Sequence, residues 1–454
     1  MRAEEIVTKF IKDASYDNLN QEDIDIIKKQ ILTYVGATIA GSSSEGVEPI
    51  VDMARQVGGA QEATILVHGG RVPAQGAAFC NGVMGRALDI CDHIKPGMHV
   101  GSGMIAAAFA AAELAGGCSG KDFMNAIAIG DEIALRLNLE EADYAGFDPT
   151  GVGGIWGPAA AAAKLLGLDE EAIWNTMALV FNRAGASFQS NVDGSLAVRV
   201  IEGWIAQAGV ECARLAQRGI TGPENYLDGV YGYFHLFTRD RTTGAEVFEG
   251  LGEEPYLTYT LGFKKYPSCG MTQGSTQLIQ DMMKEHGFRK GDVERIVLRL
   301  PQYGYKLVGK FELGKNPKVN AQFGTPYCIA NALVREEVKL SHFEPEFIKD
   351  PEVLRYADMI EVVCDPEMDH TRTHYSSDIK VITKDGNEYD GSIDVSPGTE
   401  GTPLSEEDFE RRYFDSIDFG GQPVLKEREK DIYAHLLDFE KLPNVCDFIP
   451  MITI

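Results

Sequence analysis

Most of the chain before residue 262 carries the hydrophobic spacing of helices. In residues 121–137, KDFMNAIAIGDEIALRL, apolar side chains recur every three or four positions, which is the period of an α-helix. Residues 1–41 predict two helices, and Asn20 or Gln21 begins the second. Further helices are predicted at residues 74–88, 104–114, 169–185 and 201–219. This part of the chain is therefore expected to be mostly α-helical.

The hydrophobic pattern changes at Phe263. Residues 293–300, VERIVLRL, alternate so that Ile296, Leu298 and Leu300 share one face, as in a half-buried strand. Two more strands and a turn between strands are predicted at residues 360–365, 379–383 and 384–387. Helices return at residues 405–413 and 433–442.

These elements predict a mainly α protein with a large all-helical domain and a smaller α+β lid domain. A chain of 454 residues is long for one hydrophobic core, so more than one domain is expected. We predict an all-helical domain over residues 1–262, an α+β lid over residues 263–401, and C-terminal helices over residues 402–454 that return to the first domain.

Charge and cysteine content narrow the class of protein. A net charge of −26 argues against a nucleic-acid partner, which requires clustered Lys and Arg. The longest Ala-rich run is interrupted by Glu113 and is too short to span a bilayer, so no membrane partner is expected. The eight cysteines are scattered without a CxxC pair, which favours a reduced, cytoplasmic protein without a metal site.

One stretch concentrates ionisable side chains between apolar segments. Residues 82–117 contain Asp89, Asp92, His93 and His99 beside a Pro-Gly turn. Asp89, Asp92 and His93 share one helical face if the helix before them continues that far. Each of these residues alone is more often a cap or turn residue than a catalytic group. Because four such residues cluster here, a catalytic role and a capping or turn role are about equally supported.

The sequence contains no motif for metal or nucleotide chemistry. The chain contains no HExxH pair and no P-loop, so neither metal nor nucleotide chemistry is indicated. The glycine-rich segment at residues 151–157, GVGGIWG, lacks the GxGxxG spacing and a preceding strand, and it predicts a turn before a helix.

Six blocks along the chain resemble the MmgE/PrpD family, which includes 2-methylcitrate dehydratase, cis-aconitate decarboxylase and iminodisuccinate epimerase. The blocks, which follow the family order, are GATIAG (36–41), NGVMGRALDICD (81–92), DFMNAIAIGDEIALRL (122–137), GPAAAAAKLLGL (157–168), FKKYPSCGMT (263–272) and AQFGTPY (321–327). The resemblance implies a cofactor-independent homodimer whose site lies between an all-helical domain and an α+β lid. It also implies a small-molecule carboxylate as substrate.

The resemblance also implies roles for individual residues. It assigns catalysis to His99, Asp89, Lys264 and Tyr327, and substrate binding to Asp92, His93, Asp148, Arg199 and Gln273. His99 is then the base, because the pKa of a histidine lies near neutral pH. Asp89 orients its ring, Lys264 holds a carboxylate or stabilises developing charge, and Tyr327 donates or relays a proton.

Three positions depart from the family pattern and bear on the substrate. The FHP segment carries Asp148 in place of histidine, and the K-x-x-H segment carries Val198 and Ile201 in place of its lysine and histidine. Gln273 replaces a later histidine, while Arg199 is a possible substitute for the missing lysine. Fewer cations and one added carboxylate disfavour tricarboxylates such as 2-methylcitrate or cis-aconitate.

Three functions remain open from the sequence. The first is a lyase that abstracts a proton next to a carboxylate of a small hydroxy- or unsaturated acid. The second is an epimerase or isomerase of a carboxylate that carries an amine or a neutral polar arm. The third is a non-catalytic paralogue, and the retained residues argue against it: Asp89, His99, Lys264 and Tyr327.

Overall fold

The structure is a computed structural model that describes residues 1–253 and 256–454. It is mainly α-helical with a small mixed sheet, as predicted. The helices before residue 262 are α1 (Ala3–Asp13), α2 (Gln21–Gly41), α3 (Val47–Val57), α4 (Ala74–Arg86), α5 (Gly101–Leu114), α6 (Gly120–Arg136), α7 (Glu141–Tyr144), α8 (Trp156–Leu165), α9 (Glu170–Phe181), α10 (Gln189–Val192), α11 (Ala197–Gln217), α12 (Tyr233–Thr238) and α13 (Gly244–Val247). Short strands in the same part are β1 (Ala63–Thr64), β2 (Arg71–Val72), β3 (Asp92–His93) and β4 (Gly262–Phe263).

Local sequence explains where these helices begin and how closely they approach. The Asn20 side chain accepts the backbone N–H of Asp23, so α2 starts at the predicted position. Helices α4, α5 and α11 pack together at the centre of the helical part. A Cβ at Gly82 of α4 would lie 2.6 Å from the Glu202 carbonyl oxygen of α11, so only glycine permits this close approach.

The second part of the chain builds the mixed sheet and its helices. The helices are α14 (Gly270–His286), α15 (Gln302–Val308), α16 (Pro317–Gln322), α17 (Thr325–Arg335), α18 (Pro345–Ile348), α19 (Pro351–Met359) and α20 (Met368–Thr371). The strands are β5 (Val293–Leu300), β6 (Ile360–Cys364), β7 (Ser377–Thr383) and β8 (Glu388–Ile393), in the order β6-β5-β7-β8.

Strand β5 has the bounds that its alternation predicts, and its predicted face is buried. Ile296 and Leu298 pack with Ile379 and Val381 of β7 in one apolar cluster that also includes residues of α14, α17 and α19. Strand β5 pairs antiparallel with β7 but parallel with β6, and the predicted turn joins β7 to β8.

The C-terminal helices α21 (Glu406–Gly420) and α22 (Pro423–Leu437) complete the fold. Helix α21 begins after Ser405, which caps it as its sequence predicts. The predicted last helix at residues 433–442 is misplaced, because α22 begins at Pro423, a favoured first helical residue. Phe409 and Leu425 share an apolar cluster with Ile31 of α2. The division into three sequence segments stays a prediction.

Strands β3 and β4 tie the segment after α4 to the chain that enters the second part. Asp92 pairs with Phe263, and His93 pairs with Gly262, in antiparallel register. A Cβ at Gly262 would lie 2.8 Å from Cε1 of His93, so the missing side chain leaves room for the imidazole. This short ladder positions Lys264, the next residue after β4, beside the ionisable stretch.

Among the helices of residues 1–253 and 256–454, none is long and apolar enough to cross a membrane.

Candidate active site

A cavity with about 620 Å³ of empty space, partly open to solvent, is lined by residues from both parts of the chain. Its polar and charged lining includes Arg86, Asp89, His93, His99, Asp148, Thr150, Asn191, Lys264 and Cys269. The rest of its lining is mainly apolar and aromatic: Pro96, Gly97, Phe188, Ile201, Gly270, Met271, Tyr303, Leu307, Phe323 and Tyr375. Five of the nine residues that the sequence nominated therefore face one cavity.

The backbone after α4 differs from the predicted helix. Helix α4 ends at Arg86, Asp89 has a left-handed φ of 59°, and Asp92 and His93 lie in a strand. The prediction that Asp89, Asp92 and His93 share one helical face is therefore wrong. Aspartate tolerates the left-handed region better than most residues, and a residue in that conformation ends a helix.

Asp89 is the centre of a buried ion cluster. Lys264 Nζ donates to its Oδ1 at 2.6 Å, and Arg86 Nη1 donates to the same oxygen. Burial alone would raise the pKa of Asp89, but the charges and hydrogen bonds of Arg86 and Lys264 lower it below its usual value. Asp89 is therefore ionised at neutral pH, and it holds the two cations at the cavity wall.

Arg86 is a site residue that sequence reasoning missed. It is buried, it lines the cavity, and its Nε has no hydrogen-bond partner in the part of the chain that the structure describes. The signal was present: a charged residue in the apolar segment NGVMGRALD, three positions before Asp89. Such a spacing permits an ion pair even across the end of a helix.

His99 is held by the backbone rather than by Asp89. Its Nδ1 lies 2.7 Å from the carbonyl oxygen of Asp92, which can only accept a hydrogen bond. Nδ1 therefore carries the proton, and Nε2 keeps a lone pair. The predicted orientation of this ring by the Asp89 carboxylate is wrong, because Asp89 is bound to Arg86 and Lys264.

The surroundings of His99 keep it neutral. Burial, followed by the positive charges of Arg86 and Lys264, lowers the pKa of His99 well below its usual value. A neutral imidazole with a free Nε2 is the form that accepts a proton. His99 is thus in the protonation state that a base requires across the physiological pH range.

His93 presents a second imidazole to the same cavity. It is buried, and neither ring nitrogen has a hydrogen-bond partner among the described residues. Ile94 and Met98 exchange both backbone hydrogen bonds, so His93 and His99 occupy the next facing positions of a tight hairpin. Burial, followed by the charge of Lys264, lowers the pKa of His93 to about 3.

Asp92 faces away from the cavity. Its carboxylate accepts the backbone N–H of Gly101 at the start of α5 and the side-chain amide of Gln30, at 3.0 and 2.9 Å to Oδ2. The bond from Gly101 provides an acceptor for a backbone N–H group at the N-terminus of α5. The Asp92 side chain fixes the hairpin to α5 and lies outside the cavity lining, so its predicted substrate contact stays a prediction.

Asp148 lines the cavity and finds its partner in the backbone. The N–H of Thr150 donates to Asp148 Oδ1 at 2.9 Å, as in an Asx turn. Burial raises the pKa of Asp148, although the bonds from Thr150 and the charge of Arg86 oppose this shift. A backbone donor thus satisfies one oxygen of the Asp148 carboxyl group.

Two other residues that were predicted to bind substrate form hydrogen bonds with backbone groups of the protein. Arg199 donates to the Glu45 carbonyl oxygen at 2.8 Å, and it is not part of the cavity lining. Gln273 is fully buried, accepts the N–H of Tyr266 and donates to the carbonyl oxygens of Tyr266 and Ser268. Neither residue lines the cavity, and their predicted substrate contacts stay predictions. Gln273 instead fixes the turn that follows Lys264, so it shapes the site indirectly.

The proton-donor role predicted for Tyr327 does not fit its position. Tyr327 is fully buried in the apolar cluster around the sheet, and its ring packs against Phe311 and Phe343. Its hydroxyl donates to the carbonyl oxygen of His342. Tyr327 is not part of the cavity lining. Its apolar neighbours on α17 are those of a core residue.

The N-terminus of α14 opens on the cavity, which sequence reasoning also missed. Gly270 and Met271, the first residues of this 17-residue helix, belong to the lining. The first backbone N–H groups of a helix and its dipole favour an anion. Together with Lys264 they form a surface suited to a carboxylate.

Among residues 1–253 and 256–454, no group of three or more His, Cys, Asp or Glu side chains is arranged to hold a metal ion.

Comparison with known proteins fits this arrangement. The MmgE/PrpD N-terminal domain model matches residues 5–245, and the MmgE/PrpD C-terminal domain model matches residues 266–436. The chain therefore belongs to the MmgE/PrpD family, as its six sequence blocks predict.

Its relatives include three proteins named cis-aconitate decarboxylase. The human protein is 26% identical over 416 residues, covering 87% of this chain and 84% of that protein. The mouse protein is 24% identical over 402 residues, covering 85% and 80%. The Aspergillus terreus protein is 23% identical over 415 residues, covering 86% and 83%. These identities support a family of lyase type without fixing a substrate.

Proposed function

We propose that this protein is a cofactor-independent lyase that removes a proton from a carbon next to the carboxylate of a small acid. The observation that carries the proposal is His99. Its Nδ1 is bonded to a carbonyl oxygen, so Nε2 is a free proton acceptor on the wall of a cavity that also contains Lys264.

The proposed reaction begins with the substrate carboxylate at Lys264 and the N-terminus of α14. His99 Nε2 then accepts the proton from the neighbouring carbon, and the electron pair moves into the carboxylate. Lys264 and Arg86 stabilise the charge that develops there, in a buried setting where such stabilisation is strongest. Asp89 keeps both cations at the wall. The electron pair then returns to form a C=C bond as the leaving group departs from the next carbon with its bonding electrons.

Epimerisation is the second candidate, and His93 is the observation that favours it. Two neutral imidazoles at facing positions of one hairpin line the same cavity. One ring can remove a proton and become an imidazolium, and the other ring, once it has taken up a proton from solvent, can return that proton to a different face of the carbon. In a lyase, His93 would instead contact the leaving group.

We further propose that 2-methylcitrate and cis-aconitate are not processed at a useful rate. Asp148 adds a carboxylate to the cavity wall, and Ile201 adds an apolar side chain where the family resemblance implies a histidine. We expect that Asp148→His alone will not restore this activity, because Val198 supplies no lysine and Gln273 no histidine.

The test is a screen of the purified protein in deuterated water. Hydroxy-mono-, di- and tricarboxylates, with short and long alkyl chains among the monocarboxylates, and amino-acid conjugates are incubated with it and followed by NMR. Alkene formation or carbon dioxide release would support the lyase, and exchange without net conversion would support the epimerase. A protein that catalyses neither turnover nor exchange with any of these acids would contradict both proposals and favour a non-catalytic paralogue.

A further inference from the structure

We propose that the natural substrate is a monocarboxylate with an apolar arm, and that this arm lies in an open groove beside the catalytic cavity. The inference rests on the proposed function, because it takes the cavity around His99 as the place of reaction. Two independent features of the structure carry it: the balance of charge in the cavity, and the apolar groove that adjoins it.

The charge balance leaves room for one carboxylate. The cavity lining contains two formal cations, Arg86 and Lys264, and two carboxyl groups, Asp89 and Asp148. Asp89 binds both cations and so cancels one of their charges. The second positive charge is the only one that a substrate can use, and Asp148 competes for it when ionised.

The protonation states lead to the same limit. Burial raises the pKa of Asp148, and a neutral Asp148 leaves one positive charge for the substrate. An ionised Asp148 leaves none, so the lining never offers two. His93 and His99 add no charge, because burial and the nearby cations lower the pKa of both rings.

Charged groups outside the lining do not change this limit. Asp92 and Glu202 lie behind the cavity at the first turn of α5, where each contributes a negative charge or none. Arg199 and Arg412 lie outside the lining, where they donate to the carbonyl oxygens of Glu45 and Ile90. Lys95 is exposed, so solvent screens it. A tricarboxylate would bring three negative charges to a site that can balance one.

The apolar groove adjoins the cavity. Five residues line both spaces: Pro96, Gly97, Phe188, Tyr303 and Leu307. The groove alone adds Tyr144, Ala145, Gly146, Phe147, Pro149, Ala186, Ser187, Gln189, Val192 and Lys306. Among the described residues that line the groove, Lys306 carries the one formal charge and is exposed to solvent.

The groove leaves large apolar side chains uncovered. Phe147 is 42% exposed and Val192 is 63% exposed. Burying such surface is favourable, by a factor of about three to four in affinity for each methylene group that enters it. An arm attached to the carbon next to the carboxylate would leave the cavity past Leu307 and cover these side chains.

The experiment measures binding in the His99→Ala variant, which separates affinity from turnover. Calorimetry compares propionate, hexanoate and octanoate with cis-aconitate. We expect affinity to rise about three- to fourfold for each added methylene, and we expect hexanoate to bind at least about tenfold more tightly than cis-aconitate. Tighter binding of cis-aconitate, or affinity that is independent of chain length, would overturn the inference.

Groove variants locate the arm. Leu307→Asp is expected to weaken hexanoate binding at least about tenfold while propionate changes less than about twofold. Val192→Asp changes an exposed residue and therefore preserves folding, and it is expected to weaken octanoate binding in the same way. Leu437→Asp is the matched control, because Leu437 is an exposed leucine outside cavity and groove. Equal effects of all three variants would contradict the groove.

Two further outcomes are distinguishable. A groove variant that changes the oligomeric mass without changing affinity would show that a second copy of the chain covers the groove, and it would overturn the inference. Chain-length-dependent binding without His99-dependent deuterium exchange in the unmodified protein would contradict the proposed function and leave the binding inference standing.

Discussion

Two regions differ in the kind of side chain that they bury: the segment at residues 87–100, named here the histidine loop, and the sheet β5–β8. The sheet alternates buried and exposed side chains, and Ile296 and Leu298 lie in its apolar cluster. The histidine loop buries ionisable groups instead. Asp89 is held in a left-handed conformation, and both ring nitrogens of His93 lack a partner among the described residues.

The difference separates stability from function. Buried polar atoms without partners are costly, and proteins retain few of them. Such atoms in the histidine loop face a cavity, where a ligand can form hydrogen bonds with them. The apolar side chains of the sheet instead pack against each other. Changes in the sheet should therefore affect folding, and changes around the cavity should affect turnover. The following predictions are ranked by the size of the expected effect.

The largest expected effect is on stability, from Ile296→Ala. Ile296 is fully buried in the sheet cluster, so truncation removes apolar contacts and leaves a cavity. The free energy of unfolding should fall by roughly 2–5 kcal/mol, measured by denaturant titration. Turnover per folded molecule should not change. A loss of turnover with unchanged stability would contradict the expectation that the sheet affects folding and the cavity affects turnover.

His99→Ala should show the opposite result. Removal of the proposed base should lower kcat by roughly 100-fold or more, while thermal unfolding changes little. His435→Ala is a matched control, because His435 also has its Nδ1 2.7 Å from a carbonyl oxygen but is exposed on α22. Full activity in His99→Ala would end the assignment of His99 as the base.

The same comparison explains what the sequence could predict. Strand β5 and the helix start after Asn20 follow from local alternation and capping, so their bounds were predictable. The contacts of Asp89 with Lys264 join residues 175 positions apart, and only the family resemblance brought them together beforehand.

Residue type alone did not separate cavity groups from scaffold groups. Tyr327 and Gln273 matched family positions, but their polar atoms are bonded to backbone groups. Arg86 escaped notice because its role depends on where α4 ends and on the left-handed Asp89 that follows. Such end points depend on tertiary contacts, which no local pattern records.

Lys264→Met tests the next largest effect. Lys264 is buried at the cavity and should hold the substrate carboxylate, so its loss should raise KM by about tenfold or more, the scale of one charged hydrogen bond. Lys265→Met is the matched control, because the Lys265 ammonium faces Asp408 at 3.5 Å, outside the cavity lining. Equal, small changes in KM for both variants would mean that neither lysine binds substrate.

Tyr327→Phe tests whether a family position can belong to the scaffold. The change leaves the His342 carbonyl oxygen without the hydroxyl that donates to it, so unfolding should become easier by about 1 kcal/mol. Turnover should change less than about twofold, since Tyr327 is outside the cavity lining. A 100-fold fall in kcat with unchanged unfolding would instead identify Tyr327 as a proton donor.

The smallest expected effect concerns pH, and it tests whether the burial of the histidine loop sets the state of its base. An ordinary histidine of pKa near 6.5 would be about one quarter neutral at pH 6.0, so a reaction that needs it neutral would slow about fourfold between pH 7.5 and 6.0. Burial and the charges of Arg86 and Lys264 lower the pKa of His99 well below that value. The neutral form therefore persists as the pH falls and is lost only below the lowered pKa. We expect kcat/KM for the unmodified protein to stay within about 1.5-fold over this interval, while circular dichroism checks that the protein remains folded. A fourfold fall in a folded protein would show that His99 titrates like an exposed histidine, and that the loop's burial does not tune its base.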